Sequence, residues 1–286
     1  MSIKNAYLKV KDHSVSKEIF QLIENTKYGF LETHPQPAKE NLPAYYKSED
    51  YISHTDTKRN LFEKLYHLVR SFTLQKKVNF INSFVSKKTN EKSLLDIGCG
   101  TGDFIQTAKN NNWLVSGIEP NNEARGIANK KTNNAVFNTN KLLEFKAHSF
   151  DVITLWHVLE HLPNLDEHIK ILKKLLKPNG TLIIAVPNYK SYDAQVYKEF
   201  WAAYDVPRHL WHFNKTSIAK LFFDVSMTIK KIKPMWFDAF YVCLLSEKYK
   251  TGKMNFIKAF FNGLVSNTKA LGSKEASSLI YVIKNN

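Results

Sequence analysis

One segment limits the possible folds more than any other: Leu94-Leu95-Asp96-Ile97-Gly98-Cys99-Gly100-Thr101-Gly102-Asp103-Phe104. An apolar run ends at Ile97, glycines follow at every second position, and a helix is predicted from about Gly102. Glycine adopts left-handed backbone without a steric penalty and lets a ligand come close to the main chain. The first turn of the following helix turns free N–H groups and its positive dipole end toward that loop. Such a corner belongs at the carboxyl edge of a parallel sheet, where open α/β sheets bind their ligands. Glu119 closes the next apolar run, Trp113–Ile118, and an acid there is placed to accept both hydroxyls of a ribose. A nicotinamide-binding corner spaces its glycines G-x-G-x-x-G, whereas Gly98, Gly100 and Gly102 run G-x-G-x-G.

Around this corner the pattern alternates. Strands are predicted at Ser93–Ile97, Trp113–Ile118, Ala135–Asn138, Asp151–Leu155 and Thr181–Val186, with helices between them, the last at Leu165–Leu176 before Pro178-Asn179-Gly180. That alternation means β-α-β units and a mostly parallel sheet. Past Asn188 an aromatic stretch (190–213) leads to a helix after Asn214, a strand at Ile229–Met235, a helix over 255–268 and a last strand at Ser278–Ile283. The two late strands suit an antiparallel edge. Upstream, Leu61, Leu65, Leu68, Phe72, Ile81 and Phe84 recur at helical steps over 60–86. Residues 1–59 read as irregular, because Pro35, Pro37 and Pro43 oppose a long helix.

Four segments together resemble the class I S-adenosylmethionine (SAM) dependent methyltransferases: LLDIGCGTGDF the first motif, GIEPN the second, FDVITLWHVLEHLPN the fourth-strand motif and LKPNGTLIIAVPN the entry to strand five. They cover about 90–190 in order. The resemblance implies an α/β, Rossmann-like, seven-stranded, mostly parallel sheet with an antiparallel C-terminal edge and an N-terminal cover. It divides the chain into a helical N-terminal extension (1–89) and a core (90–286) with an acceptor lid at about 189–213 and 236–277. It also implies SAM as cofactor and S-adenosylhomocysteine as product. Cofactor contacts then fall on Asp96, Gly98, Cys99, Gly100, Glu119, Pro120, Trp156 and His157, with the adenine near Asn140 to Leu142.

Methyl transfer from a sulfonium mainly needs alignment. A base is required only where the acceptor must lose a proton. His157, Glu160 and His161 of HVLEH share one helical face at spacings of three and four, and His157 and His161 are catalytic candidates together with His209. HVLEH resembles the E-x-x-E-H motif that binds a divalent ion in ubiquinone-biosynthesis O-methyltransferases. His157 replaces the first glutamate, which weakens that case, so no metal is assigned. Acceptor contacts are expected from Tyr204, Asp205, Arg208, His209 and His212, in a segment resembling the D-x-P-R-H-L-x-H-F stretch of a bacterial branch of these enzymes, and from Tyr46, Tyr51 and His54 of the N-terminal cover. Residues 19–37 have the hairpin-like layout of a zinc ribbon found in sugar-modifying relatives, but no cysteine to hold zinc.

Composition narrows the partners. The 286 residues carry a formal charge of +15, which favours anionic partners, yet the lysines are scattered rather than gathered into an arm. No 18-residue apolar run or leader segment is visible, and Cys99 and Cys243 cannot build a disulfide framework, so a cytoplasmic protein is expected. The predicted reaction is O- or C-methylation of a small-molecule or metabolite-linked acceptor. The alternative is an RNA or protein methyltransferase that uses the basic surface. The sequence leaves the oligomeric state open.

Overall fold

The computed structural model describes residues 6–38, 40–46, 61–85 and 91–286, with backbone alone for 43 and 61–71. Along the chain run β1 (Leu8–Lys11), β2 (Ile19–Glu24), β3 (Leu31–His34), α1 (Leu61–Asn82), β4 (Lys92–Ile97), α2 (Asp103–Asn110), β5 (Trp113–Ile118), α3 (Asn122–Thr132), β6 (Val136–Phe137), β7 (Phe150–Trp156), α4 (Leu165–Leu175) and β8 (Leu176–Pro187). They continue with α5 (Tyr192–Tyr197), β9 (Trp211–His212), α6 (Lys215–Phe223), β10 (Met227–Pro234), α7 (Asp238–Thr251), α8 (Phe256–Ser273) and β11 (Ser278–Asn285).

The larger sheet has seven strands in the order β10-β11-β8-β7-β4-β5-β6. β4 pairs parallel with β5 and β7, and β5 with β6, while antiparallel strands stand at its edge. This is the Rossmann-like sheet with an antiparallel C-terminal edge that the alternating pattern implies. Its central strands are buried on both faces: Leu94, Leu95 and Ile97 of β4 lie beside Val152, Ile153 and Leu155 of β7. That is why they read as continuous apolar runs rather than as alternation.

The irregular N-terminus expected from its prolines is corrected here. β1, β2 and β3 pair antiparallel, and β9 completes a four-stranded sheet by pairing Leu31 with His212 and Glu32 with Trp211. The strands are four to six residues long, too short for their alternation to stand out from the turns. The fourth comes from far along the chain, a partner that local pattern cannot reveal. The helix α7 also goes unforeseen: Asp238–Thr251 mixes apolar, acidic and basic residues with no clear apolar face.

The chain divides into two compact units. One contains β1–β3 with His157–Leu165 and Ala185–Tyr281; the other contains α1 through Trp156, Asp166–Ile184 and Val282–Asn286. In the second, Gly102 has φ 82° and caps α2, and a Cβ there would fall 2.8 Å from the Cβ of Ala128 on α3. Only glycine lets these two helices approach so closely behind the loop.

In the first unit Phe20, Leu22 and Leu31 of the small sheet pack with Tyr197, Trp201 and Tyr204. Asp193 at the start of α5 is fully buried and accepts hydrogen bonds from Trp201 Nε1, Ser266 Oγ and Ser277 Oγ, each at 2.7 Å. One carboxyl thus ties α5, α8 and the approach to β11 together. Asp193→Ala orphans three buried donors and should cost roughly 2–4 kcal/mol in urea unfolding. Asp193→Asn, which keeps acceptor capacity, should cost less; equal stability of all three proteins would remove this tie.

Candidate active site

In the unit built on β4 and β5, the glycine loop folds back on the neighbouring strand. Gly98 and Cys99 both donate their N–H to Ile118 O, at 2.8 and 3.1 Å. Gly98 and Gly100 sit at φ 69° and 54°, the left-handed region, and among the described residues a Cβ on Gly100 would meet nothing within 4 Å. The loop therefore presents bare backbone to open space, as a cradle for a ligand requires.

Glu119 is buried at the end of β5. Its Oε2 accepts from Gly100 N at 2.8 Å and its Oε1 from Asn121 N at 2.9 Å. Burial raises its pKa, opposed by these two N–H donors and by the charge of Arg125. Each oxygen keeps a lone pair for a further donor. Pro120 offers only its backbone carbonyl, which accepts from Arg125 Nη1 at 3.1 Å. Asp96 lies at the other side of the corner and accepts from Thr154 Oγ1 at 2.6 Å. Burial pushes its pKa up to about 7, with Thr154 and the Lys77 ammonium pulling it down and Glu119 pushing it up.

Trp156, at the end of β7, stands edge-on to Phe104 at 5.7 Å between ring centroids, with Lys77 Nζ 4.2 Å from its own. Its Nε1 is buried without a hydrogen-bond partner. The sequence reading misses Lys77, whose only signal is its place on the amphipathic helix before the first core strand. The Cys99 thiol packs where Gly117 leaves room, and burial raises its pKa, which disfavours the thiolate. At the expected adenine segment, Leu142 is buried while Asn140 donates to the Asn138 side chain.

The other unit gathers most of the expected acceptor residues. His157 takes a left-handed turn (φ 56°) directly after β7 and places Nε2 3.0 Å from Asp238 Oδ2 and Nδ1 3.5 Å from Glu160 Oε1. Burial opposes its charge, but the two carboxylates prevail and raise its pKa to about 10. The raised pKa favours the imidazolium at neutral pH, the form in which the ring has no lone pair to accept a proton. Asp238 has no counterpart in the sequence reading, because α7 itself goes unforeseen.

Glu160 is 1% exposed, and among the described residues its carboxylate oxygens have no hydrogen-bond partner beyond the 3.5 Å ion-pair contact with His157. Next to it, His161 Nδ1 lies 3.0 Å from both Arg208 O and the Tyr46 hydroxyl. A carbonyl can only accept, so Nδ1 carries a proton, and in the neutral ring Nε2 is the acceptor. His209 is fixed in the same way by Ala203 O at 2.9 Å from Nδ1, and its ring meets that of His161 at 4.5 Å, edge to face. Burial, with the neighbouring rings of His161 and His212, depresses the His209 pKa well below the usual range. One ligand atom each from Glu160, His161 and His209 falls within 4.8 Å of the others. Three possible ligand atoms thus come together, with the Glu160 carboxylate also facing the His157 ring.

The remaining candidates divide. Asp205 pairs with Arg208 at 2.5 Å, and that carboxylate raises the guanidinium pKa against burial. Tyr204 packs against Trp201 and His212 with its hydroxyl pKa raised by burial, and His212 hydrogen-bonds Thr33 Oγ1 at 3.0 Å. Burial lowers the His212 pKa to about 3, so it stays neutral. Tyr204 and His212 are both buried, and the His212 ring lies 6.4 Å from that of His209. Tyr51 and His54 lie outside the described residues.

Comparison with known proteins gives three findings. A methyltransferase-domain family model matches residues 67–225, more than half of the chain. The chain is similar to ubiquinone biosynthesis O-methyltransferases, at 29% identity over 119 residues for that of Coxiella burnetii (40% of this chain, 50% of the relative). For that of Rickettsia akari the identity is 24% over 185 residues (61% of this chain, 74% of the relative). The chain thus spans about half the length of the first of these curated relatives. Among solved structures, magnesium protoporphyrin IX methyltransferase from Synechocystis with bound S-adenosylhomocysteine superposes with a TM-score of 0.56 at 15% identity, over 87% of this chain and 100% of that one. At that identity the likeness is one of fold.

The His157–Asp238 pair makes a prediction about pH. A folded-state pKa raised to about 10 means that the pair's stabilisation is complete below the unfolded pKa, about 6.5. It is lost as pH climbs from there through the folded value. Asp238→Ala should move the His157 ring titration, followed by NMR, down toward the ordinary range. An unmoved titration would mean that Asp238 does not hold the charge.

Proposed function

We propose, from the premise that the chain belongs to the methyltransferase-domain family, that it transfers a methyl group from SAM to an oxygen or carbon of a small-molecule or metabolite-linked acceptor. The observation that carries this reading is the Gly100–Glu119 corner: open backbone on one side and a buried acid with spare acceptor capacity on the other. When bound, SAM supplies an electrophilic methyl on a sulfonium. Everything else falls to the chain. Gly98 and Gly100 admit the methionine portion, Glu119 accepts from the ribose hydroxyls, and Asp96, Trp156 and Lys77 line the same corner. The unmatched Trp156 Nε1 is a donor awaiting an acceptor.

Acceptor chemistry is assigned to the residues that follow Trp156. His161 Nε2, oriented by Arg208 O and Tyr46, takes a proton from an acceptor hydroxyl, and the buried Glu160 carboxylate favours the imidazolium that results. His209, with its depressed pKa, is the poorer base and serves as a neutral acceptor.

A second reading is favoured by the clustering of Glu160, His161 and His209. One carboxylate and two imidazole nitrogens fit a divalent cation, and the carbonyls on both Nδ1 atoms are the partners that metal-bound histidines use. Such an ion would polarise an acceptor hydroxyl at Glu160, His161 and His209. Chelator treatment separates the readings: turnover restored only by added divalent metal supports the ion, and unaltered turnover supports His161 as base.

Two substitutions test the assignments. Glu119→Ala removes a charged acceptor and should weaken SAM binding by about 10- to 100-fold in calorimetry. His161→Ala should lower turnover about a hundredfold with SAM affinity intact. Unchanged SAM affinity in the first, or unchanged turnover in the second, removes that assignment.

A further inference from the structure

α8 is built the wrong way round for a helix in water. The face it buries is small: Ala259, Gly263, Ser266 and Ala270 are its buried residues. Gly263 lies so near α7 that a Cβ would come within 3.1 Å of Phe240 Cα. The opposite face carries Ile257, Phe260, Phe261, Leu264 and Leu271, at steps of three, one, three and seven that keep them on one stripe. All five are exposed, from 45% at Leu264 to 74% at Ile257. A soluble helix turns its large apolar residues inward. Here Phe237 and Tyr241 of α7 and its preceding turn, also exposed, lengthen the patch. Contiguous apolar surface of this kind marks a docking site.

The surrounding charge says what docks. α8 contains no acid, and the exposed Lys250 in the last turn of α7 and Lys253 in the connection stand beside it, while its own Lys258 and Lys269 are engaged with Glu247 and the Tyr192 ring. The acids of this helical pair are engaged already: Asp238 with His157 and the buried Glu247 with Lys258 and Tyr197. A second copy of a chain with a net charge of +15 would bring lysines against lysines across this face. An anionic lipid surface instead receives the apolar stripe among its acyl chains and the lysines among its headgroups. No helix of the described residues is long and apolar enough to cross a membrane, so such a helix lies in the interface.

We propose that α8, with the adjoining turn of α7, docks this protein on the surface of an anionic lipid bilayer. The inference goes beyond methyl transfer and does not depend on it.

The test is sedimentation of the full chain with vesicles of phosphatidylcholine, with and without phosphatidylglycerol. The expected result is pelleting with the anionic vesicles, weakened by added salt. Ile257→Glu combined with Phe261→Glu should lower partitioning by about tenfold or more at an unchanged thermal midpoint. Lys250→Gln with Lys253→Gln should reduce partitioning to anionic vesicles alone. Absence of pelleting with anionic vesicles, or pelleting indifferent to the Ile257/Phe261 exchange, overturns the proposal. So does a dimer in sedimentation velocity that the same exchange dissociates, which would assign the face to a second copy.

Discussion

The hydrogen bond from Gly100 N to Glu119 Oε2, 2.8 Å long, holds the ligand-binding corner in shape. It requires left-handed backbone at Gly100, hence glycine, and it requires a carboxylate at the end of β5 rather than elsewhere on the strand. Around it the loop bonds to Ile118 O, Asn121 caps α3, and Gly102 lets α2 settle on Ala128. A hydrogen bond to a charged group contributes ~1.5–3 kcal/mol, comparable to the whole effect of many substitutions. Its further consequence is orientation: the backbone fixes two sides of the carboxylate and leaves its outer lone pairs for a ligand.

The unit that holds His157, Glu160, His161 and His209 follows a different physical logic, set by its ring and carboxylate contacts. Backbone carbonyls at 203 and 208 occupy the Nδ1 positions of His209 and His161, and this fixes both bare nitrogens near Glu160. His157 meanwhile is locked as a cation by Asp238 and Glu160. Two rings in this unit are thus driven apart, His157 toward the charged form by its carboxylates and His209 toward the neutral form by burial. Such separation of environments is characteristic of functional sites.

Much of this was legible in the sequence because it depends on local rules. The glycine spacing, the acid after the second strand and the apolar runs of β4, β7 and β8 are set by backbone geometry and two-sided burial. The N-terminal sheet was not legible, since Leu31 finds its partner at His212 and its strands are too short to show a period. Lys77 and Asp238 escaped for a related reason: each acts on a group distant in sequence, Lys77 on Trp156 and Asp238 on His157. The aromatic and histidine-rich stretch 201–213 illustrates both outcomes at once. His209 joins the triad, whereas Tyr204 and His212 fill core, and nothing in their spacing separates the two.

The most direct test of the account is calorimetric titration of the purified chain with SAM and S-adenosylhomocysteine, with NAD as control. The corner formed by Gly98, Gly100 and Glu119 predicts micromolar-range binding of both adenosyl ligands and none of NAD. Binding of NAD in their place, or of neither adenosyl ligand, would contradict it.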